Sequence, residues 1–590
     1  MPRTTKSIGA GLAAAAMIGS LLTAQPAWAT PSNTAAPADN QDTTRQLVLA
    51  EPGTAADQVT AAVEAAGGEV AQTNEAIGLY TVNGPADLAQ KLDQNPLITG
   101  TMDDSVIGYS PRGDIGEKKR KADDVERARA ERPAARSTEQ NITKAPPGQS
   151  RGKGKNHQGN TPLVTAPLRD RQWNLDMIEA DAAHQTTMGK GARVGIMDTG
   201  VDGNHPDIAA NFNLALSRNF TTDIPEIDGA CAEDPDGSCT DAADVDENGH
   251  GTHVASTIAS PRNGIGVTGV APEAEVVNLR NGQDSGYFYL QPTLDALTYA
   301  PSAGIDVVNM SFYIDPWAFN CAANPADSPE EQAAQRLTIE ATNRALDYAR
   351  NNGVTLIAAM GNSHQDLGNP ISDSSSPNFR EGNERERAID TSCVVMPTEG
   401  NGVMSVSSVG PSSLKAYYSN YGTEQVAVAA PGGAYRDFSD TDKNRRPENM
   451  ILAAVPEVVV RAETDLAPNG ESLSPFVISE CSGENNCAYY EYLQGTSMAA
   501  PHVTGVAALT IARHGQPDNQ LGGKKMQPHR VERFITEGAV EKACEAPVMS
   551  YPGLADSYTA PCEGDASFNG FYGNSILNAK NSVSNTPHKR

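Results

Sequence analysis

The stretch Gly495-Thr496-Ser497-Met498-Ala499-Ala500-Pro501 places a serine between a glycine turn and a run of small residues that continues apolar through Leu509. This pattern predicts that Ser497 lies at the start of a helix. The unpaired backbone N–H groups and the positive end of the helix dipole there would stabilise an anion formed on an attacked carbonyl. Because a serine hydroxyl is a weak nucleophile by itself, catalysis also requires a base and a group that orients the base.

The chain around this stretch predicts an α/β fold. Short segments rich in Val and Ile alternate with helical segments from residue 172 onward, which is typical of a mainly parallel sheet covered by helices on both faces. The predicted strands are 193–197, 276–279, 305–310, 354–359, 404–409 and 426–430. Helices are predicted to begin at His250, at Leu290, near Ala333 and at Ser497. In such sheets active groups gather at the carboxyl ends of strands.

The base that the serine needs, and the group that orients this base, are found earlier in the chain. Asp198 directly follows the first predicted strand, and His250 opens a predicted helix. An acid, a base and a nucleophile that all lie at element ends can face one cleft. The competing interpretations are a turn or cap aspartate and a surface histidine. His253, one turn further along the same helix, is assigned a structural hydrogen-bonding role, because a zinc site with His250 would need ligands that the sequence does not identify.

The segments Asp198-Thr199-Gly200 and His250-Gly251-Thr252-His253, taken together with the Ser497 stretch, resemble the three signatures of the subtilisin-like serine proteases over about residues 172–580. The order Asp, His, Ser along the chain is also that of subtilisin. The resemblance implies that Ser497 attacks the scissile carbonyl and that His250 acts as general base and then acid. Asp198 would hold His250 in its working tautomer.

The resemblance also implies an oxyanion donor and two edges that bind an extended substrate. Asn362, in Ala358-Ala359-Met360-Gly361-Asn362, would supply its side-chain amide to the oxyanion. The edges would be Ser311-Phe312-Tyr313 and Ser285-Gly286-Tyr287, each adding a strand to the substrate main chain. Glycine is usual in the family where Tyr313 stands, so the preference for substrate side chains stays open.

Structural calcium is the cofactor that the family resemblance implies. Asp207 and the loop 261–267 match the family's strong calcium site. The ligands would be the Asp207 carboxylate, the Asn263 side-chain oxygen and the backbone carbonyls of Pro261, Ile265 and Val267, which form a cage of hard oxygen atoms. A plain turn is the alternative interpretation of this loop.

The N-terminal part of the chain predicts an exported precursor. Residues 1–29 have the charged, apolar and small-residue regions of a signal peptide, and 30–45 form a spacer. Residues 46–109 predict a small α+β module, 110–170 a basic disordered linker, and 171–585 the peptidase domain. The module by itself is equally consistent with a structural domain. By resemblance it is a ferredoxin-like propeptide that inhibits the enzyme intramolecularly, with residues 106–110 nearest Ser497 before self-cleavage.

Cysteine content and charge agree with an extracellular protein. The eight cysteines all follow residue 230, and an even number in an exported chain suggests disulfides. Sequence proximity favours the pairs Cys231–Cys239, Cys481–Cys487 and Cys544–Cys562, which leaves Cys321–Cys393, although spacing alone does not prove connectivity. The net charge of −28 argues against a nucleic-acid partner. No stretch after the signal is long and apolar enough to predict a membrane span.

These features together predict a secreted, extracellular serine endopeptidase that acts on protein or peptide substrates and is made as a self-processed precursor. One alternative is a processing protease of narrow specificity that acts on one partner. Another is a non-catalytic binding protein on a protease scaffold. The chain also carries insertions relative to compact family members, at 221–247, 314–335, 364–398 and 434–491, which could tune access to the cleft or be inert.

Overall fold

A computed structural model describes residues 43–104, 166–231, 237–378, 384–483 and 486–584. The strands are β1 (Thr43–Ala50), β2 (Glu69–Asn74), β3 (Leu79–Pro85), β4 (Ile98–Asp103), β5 (Arg193–Met197), β6 (Arg218–Asn219), β7 (Glu275–Arg280), β8 (Val307–Met310), β9 (Asn320–Cys321), β10 (Thr355–Ala359), β11 (Ser372–Asp373), β12 (Arg387–Ala388), β13 (Cys393–Val394), β14 (Val403–Val409), β15 (Val428–Pro431), β16 (Ile451–Val455), β17 (Val477–Cys481), β18 (Cys487–Leu493), β19 (Gln516–Pro517), β20 (Lys524–Lys525), β21 (Val548–Met549) and β22 (Ala560–Pro561).

The helices of the same residues are α1 (Ala56–Ala66), α2 (Leu88–Leu92), α3 (Trp173–Met177), α4 (Ala180–His184), α5 (Pro225–Asp228), α6 (His250–Ala259), α7 (Leu290–Tyr299), α8 (Pro329–Asn351), α9 (Glu457–Glu463), α10 (Thr496–His514), α11 (Pro528–Gly538) and α12 (Ala579–Ser584). Short 3₁₀ helices cover Arg169–Arg171, Pro447–Asn449 and Asp556–Tyr558.

The larger sheet has seven strands in the order β15-β14-β10-β8-β5-β7-β6, and all six neighbouring pairs are parallel. Helices α6 and α10 pack on one face of this sheet and α7 and α8 on the other, so its central strands are buried on both sides. The predicted α/β class is confirmed. Each predicted strand lies within two residues of an observed one, while α8 begins at Pro329 rather than near Ala333.

The N-terminal module has a four-stranded sheet in the order β2-β3-β1-β4. Strand β1 shows the alternation of a sheet that is covered on both faces. Val48 faces α1 and α2, whereas Leu47 and Leu49 join the apolar cluster around α7 and α8. The sequence of this module predicts strands at 47–49, at 77–82 and near 98–107. It does not predict β2, because most β2 residues are polar and exposed and so lack an apolar pattern.

An inserted antiparallel sheet is the main difference from the predicted fold. Strands β16, β18 and β17 pair in that order within the region treated as an insertion at 434–491. It packs on α6, where the backbone N–H of Ala454 donates to the Ser256 hydroxyl at 2.9 Å. The ring Nε2 of His253 lies 3.1 Å from the carbonyl oxygen of Ile451 and 3.0 Å from that of Glu491. His253 therefore has the structural role expected for it.

The three disulfides that sequence proximity favoured, Cys231–Cys239, Cys481–Cys487 and Cys544–Cys562, are present, and so is the remaining pair Cys321–Cys393. The last residues assigned to the disordered linker are folded instead. Leu168 donates its backbone N–H to the Gly266 carbonyl at 2.9 Å, and the buried Arg169 pairs with Asp176 and Asp181. Within the described ranges, none of the helices has the length and apolar character needed to cross a membrane.

Candidate active site

Asp198 and His250 form a buried pair at the carboxyl edge of the larger sheet. Asp198 directly follows β5, and His250 is the first residue of α6. The carboxylate Oδ1 of Asp198 lies 2.7 Å from Nδ1 of His250 and also accepts the backbone N–H of Thr199 at 2.8 Å. A Cβ on Gly251 would lie only 2.1 Å from the carbonyl oxygen of Gly200, so the close approach of α6 to this strand end requires glycine.

Asp246 organises the turn that presents His250, and the sequence analysis did not single it out. Its Oδ1 accepts the backbone N–H groups of Asn248 and Gly249, and its Oδ2 accepts the N–H and hydroxyl of Thr252. These bonds satisfy donors at the start of α6, as a helix cap does. The available signal was an aspartate four residues before the histidine, which is hard to recognise within an acidic insertion.

Ser497 is the second residue of α10, where the first-turn N–H groups have no partner within the helix. Its hydroxyl donates to the Ser311 carbonyl at 3.2 Å, and the Ser311 hydroxyl donates to the Ser497 carbonyl at 3.0 Å. These two bonds join the start of α10 to the end of β8. The serine that the sequence singled out is therefore next to the first residue of a predicted substrate-binding edge.

Asn362 follows β10 and is fixed against the same helix start. Its Oδ1 accepts the backbone N–H and the hydroxyl of Thr496, both at 2.9 Å. The hydroxyl of Thr496 in turn accepts the Gly361 N–H at 2.9 Å. Because Oδ1 of Asn362 is turned toward Thr496, its Nδ2 amide group points away from Thr496.

The two predicted substrate edges lie next to each other. The segment around Ser285 and Gly286 is a hairpin turn closed by a bridge between Gly282 and Phe288. The ring of Phe288 stacks on that of Phe312 with centroids 4.3 Å apart. The backbone N–H groups of Asn281 and Gly282 both donate to the Asp198 carbonyl at 3.1 Å, which ties this hairpin to the Asp198 strand end.

A small pocket that is open to solvent lies beside Asn362. Its lining combines Phe312 and Tyr313 with residues that follow β10 and with parts of two insertions. The lining residues are Phe312, Tyr313, Ala318, Phe319, Ala359, Gly361, Asn362, Ser363, Ser375, Val395, Thr398 and Asn420. None of these carries a charge at neutral pH.

Residues 189–574 match the model of the subtilase family of peptidases. The chain belongs to the subtilase family. This assignment agrees with the observed arrangement of Asp198, His250, Ser497 and Asn362 around the carboxyl ends of parallel strands.

Curated relatives of this subtilase include a thermostable alkaline protease of Halalkalibacterium halodurans, 26% identical over 59% of this chain and 65% of its own length. An intracellular serine protease of Paenibacillus polymyxa is 34% identical over 30% of this chain and 47% of its own length. The chain thus covers less than two thirds of these two relatives. Subtilisin BL of Lederbergia lenta is 26% identical over 57% of this chain and 82% of its own length.

Solved structures support the subtilisin-like fold. The epidermin leader peptide processing serine protease of Staphylococcus aureus superposes with a TM-score of 0.56 at 17% identity, covering 93% of this chain and all of that one. Fervidolysin of Fervidobacterium pennivorans, described as a keratinolytic enzyme related to subtilisin, gives a TM-score of 0.51 at 18% identity, covering 93% of this chain and 62% of that one.

The loop expected to bind calcium in this subtilase folds over Asp207. Asp207 is buried, and its Oδ2 accepts the backbone N–H of Val267 at 2.8 Å. Its Oδ1 is buried without a hydrogen-bond donor among the described residues. Burial raises the pKa of Asp207 to about 8. A buried carboxylate oxygen that lacks a donor matches the hard oxygen ligands that Ca²⁺ takes, so this residue fits the ion.

The remaining predicted ligands lie in the same loop. The carboxylate of Glu480, which the sequence analysis did not single out, also reaches this loop. The exposed side chain of Asn263 accepts the Ile265 N–H at 3.1 Å, and the Pro261 carbonyl accepts the Asn263 N–H at 2.9 Å. Glu480, from strand β17, accepts the Gly266 N–H at 2.7 Å. Its contribution could not be found from sequence, because only the docking of the inserted sheet brings residue 480 to this loop.

Proposed function

We propose that the protein is a secreted serine endopeptidase that hydrolyses peptide bonds through an acyl-enzyme and is made as a self-processed precursor. The observation that carries the proposal is the 2.7 Å contact between Asp198 and His250 at the same sheet edge as Ser497 and Asn362. A carboxylate on Nδ1 leaves Nε2 of His250 as the nitrogen that exchanges protons with the serine.

In the proposed reaction, Oγ of Ser497 bonds to the scissile carbonyl carbon while its proton passes to Nε2 of His250. The oxyanion that forms would accept hydrogen bonds from Nδ2 of Asn362 and from the backbone N–H of Ser497. His250 then gives the proton to the leaving amine, and the C–N bond breaks to leave an ester on Ser497. Water attacks this ester with His250 again as base, which releases the carboxylic acid and restores the hydroxyl.

Residues 46–109 are proposed to be the propeptide that inhibits this site. Support comes from the way its sheet packs on α7 and α8. Gln72 and Asn74 donate side-chain hydrogen bonds to the two carboxylate oxygens of Asp295 on α7, both at 2.8 Å. Arg344 on α8 donates to the Ala50 carbonyl at 2.7 Å. The segment 106–110 expected nearest Ser497, the signal peptide 1–29 and most of the linker lie outside the described residues.

Export is proposed on the signal-like residues 1–29 and on the four disulfides, which form and persist in oxidising compartments. Protein and peptide chains are the proposed substrates. Nucleic acid and membranes are not proposed as partners.

Calcium is proposed as a structural ion. Asp207, Asn263 and the carbonyls of Pro261, Ile265 and Val267 would hold it, with Glu480 as an added carboxylate near the loop. When bound, the ion would supply positive charge that ties the loop, Asp207 and the inserted sheet together, and it would take no part in the peptide-bond chemistry.

Ser497→Ala tests the proposed mechanism most directly. We expect it to abolish peptide hydrolysis and to leave the purified precursor uncut, because the variant has no nucleophile. Ser557→Ala, which removes an exposed serine hydroxyl, is the matched control and should mature and cleave like the wild type. Wild-type rates of maturation and hydrolysis in Ser497→Ala would refute the mechanism.

The second candidate function is a processing protease that acts on one partner. The observation that favours it is the contribution of two insertions to the pocket beside Asn362, since such additions restrict access. Cleavage of a broad peptide mixture separates the two functions. Many products support general proteolysis and a single recurring motif supports processing, whereas no product would support a non-catalytic scaffold.

Removal of calcium is expected to lower the melting temperature of Ser497→Ala protein, because a structural ion stabilises only the folded state. The melting curve should be recorded with excess chelator and again after calcium is restored, with bound metal measured by elemental analysis. An unchanged melting curve together with no retained metal would contradict the calcium site.

A further inference from the structure

Asn362, the proposed oxyanion donor, lies in a turn with unusual backbone geometry. This turn, residues 360–365, directly follows β10. Two of its residues adopt left-handed backbone conformations, since φ is 97° at Gly361 and 56° at His364. A histidine in this conformation is strained and persists only where its surroundings hold the backbone in place. The position of Asn362 therefore depends on the contacts that keep this turn in its shape.

The side chain of Asn420 holds the second half of the turn. Asn420 follows β14 in the chain and is buried. Its Oδ1 accepts the backbone N–H groups of Ser363 at 3.0 Å and of Gln365 at 2.9 Å. Because one oxygen atom accepts both N–H groups, it holds together the backbone on the two sides of His364.

Asn420 also holds the first half of the turn. Its Nδ2 donates to the Met360 carbonyl at 2.9 Å, and its backbone N–H donates to the Gly361 carbonyl at 2.9 Å. A Cβ on Gly361 would lie only 2.5 Å from this Nδ2, so the asparagine is packed directly against the turn. The bonds from Asn420 therefore bracket Asn362 on both sides.

The segment that carries Asn420 is fixed by contacts of its own. The Tyr418 hydroxyl donates to the Gly433 carbonyl at 2.6 Å. The Ser419 hydroxyl accepts the backbone N–H of Ser408, in β14, at 3.0 Å. Both partners lie outside the turn that contains Asn362. Asn420 is thus anchored independently of the backbone that it holds, as a positioning group has to be.

We propose that Asn420 is a positioning residue for the proposed reaction, because it holds the turn 360–365 so that Nδ2 of Asn362 is directed at the oxyanion. Asn420 takes no part in making or breaking bonds and acts through Asn362. The inference rests on the proposed endopeptidase function. Asn420 also lines the pocket beside Asn362, so direct contact with the substrate is the competing role that the test must separate.

The test compares kcat and KM of Asn420→Ala with those of the wild type on one peptide substrate. In subtilisin the loss of an oxyanion donor lowers kcat by about 100-fold to 1000-fold. A misplaced amide should cost less than a missing one. We therefore expect Asn420→Ala to lower kcat by about 30-fold and to leave KM within about threefold of the wild-type value.

Asn578→Ala is the matched control. Asn578 is also buried, and its side chain donates to Glu179 at 3.1 Å and accepts the Asn581 N–H at 2.9 Å. None of these residues belongs to the candidate active site. The control variant should therefore keep the wild-type kcat and KM, which separates the role of Asn420 from the general cost of removing a buried asparagine.

A double-mutant cycle decides whether Asn420 acts through Asn362. In an Asn362→Ala background no amide is left to position, so adding Asn420→Ala should lower kcat by less than about threefold. Precursors that mature slowly are cut in trans by a trace of tagged wild-type enzyme, which is then removed. A Ser497→Ala precursor treated in the same way gives the background rate. If Asn420→Ala fails to fold by circular dichroism, Asn420→Ser also lacks the amide and should give the same results.

A wild-type kcat in the folded variant would overturn the proposal. An equal loss of kcat with and without the Asn362 amide, or in Asn578→Ala, would overturn it as well. A raised KM with unchanged kcat would overturn it by assigning Asn420 to substrate binding. Failure of the proposed function looks different, since the wild type and Ser497→Ala would then be equally inactive on the peptide.

Discussion

Two fully buried arginines, Arg387 and Arg280, hold insertions next to the candidate active site. Both arginine side chains lie among aspartates, but the balance of positive and negative charge differs between the two clusters. Arg387 pairs with Asp327 and Asp373 beside the pocket next to Asn362. Arg280 pairs with Asp223, Asp241 and Asp284 beside the hairpin that contains Ser285. Similar anchors thus have different electrostatic surroundings.

The Arg387 cluster is close to charge balance. A second cation, Arg385, lies 2.7 Å from both Asp327 and Glu331. Burial would raise the pKa of Asp373, but the hydrogen bonds from Arg387, Ser376 and Ser375 and the charge of Arg387 together outweigh it and leave this pKa below its usual value. The Asp373 carboxylate therefore keeps its charge across neutral pH.

The Arg280 cluster has more negative charge than positive. Asp228, which accepts the Ser285 N–H at 2.8 Å, lies close enough to Asp223 to feel its charge. Burial, added to the charge of Asp223, raises the pKa of Asp228 to about 6. Burial also raises the pKa of Asp284, although Arg280 opposes the change. We therefore expect the stability contributed by the Arg280 cluster to change with pH, whereas the stability contributed by the Arg387 cluster should stay nearly constant.

The largest effect is expected from Arg280→Met. It leaves buried carboxylates without their cation, which should lower the free energy of unfolding by about 5 kcal/mol at pH 8. The loss should be smaller at pH 5, because the carboxylates can then take up protons. Denaturant unfolding in a Ser497→Ala background, which cannot digest itself, measures both values. Equal losses at pH 5 and pH 8 would contradict the proposed excess of negative charge.

Arg387→Met should lower the free energy of unfolding by less than Arg280→Met does, by about 3 kcal/mol, because Asp327 keeps its pairing with Arg385. The loss should change less between pH 5 and pH 8 than the loss for Arg280→Met, because only Asp373 is left without its cation while Asp327 keeps Arg385. Arg461→Met, which removes an exposed arginine paired with Glu457, is the control and should leave the unfolding midpoint unchanged. A strong pH dependence of the Arg387→Met loss would remove the contrast between the clusters.

The third effect is a change in how steeply the free energy of unfolding varies with pH, which is smaller per pH unit than either of the two losses. The raised pKa values of Asp228 and Asp284 mean that the folded protein binds more protons than the unfolded chain above about pH 4. Their contribution to the free energy of unfolding is therefore greatest at low pH and falls as pH rises. The fall is at most about 1.4 kcal/mol per pH unit for each proton that the folded protein binds in excess of the unfolded chain. We expect that in Asp284→Asn the free energy of unfolding decreases less steeply between pH 5 and 9, because the asparagine cannot titrate.

Unfolding midpoints across this pH range, again in the Ser497→Ala background, provide the measurement. Asp442→Asn, which neutralises an exposed carboxylate, is the control and should leave the slope as it is. Parallel slopes for Asp284→Asn and the parent protein would show that Asp284 does not carry the pH response.

Much of the candidate site was predictable because its residues lie where local signals are strong. The last four residues of β5, 194–197, form a buried run without polar side chains directly before Asp198. The small residues after Ser497 allow tight packing of α10 against the sheet. Asp246, Glu480 and Asn420 were not predictable. Asp246 acts on residues only two to six positions ahead of it, but no single aspartate stands out within an acidic insertion. Glu480 and Asn420 act on atoms that are distant in sequence, and their own neighbours in the chain carry no periodic pattern that marks the contact.

The sequence by itself determined the α/β order of elements and the subtilase signatures and favoured three of the four disulfides, because each depends on short-range patterns of apolar, small and reactive residues. Only the tertiary structure decided that the region 434–491 contains a sheet packed on α6, that Glu480 reaches the Asp207 loop and that two insertions close the pocket beside Tyr313. Those outcomes depend on which buried charges and apolar faces find partners in space, and chain spacing does not encode that choice.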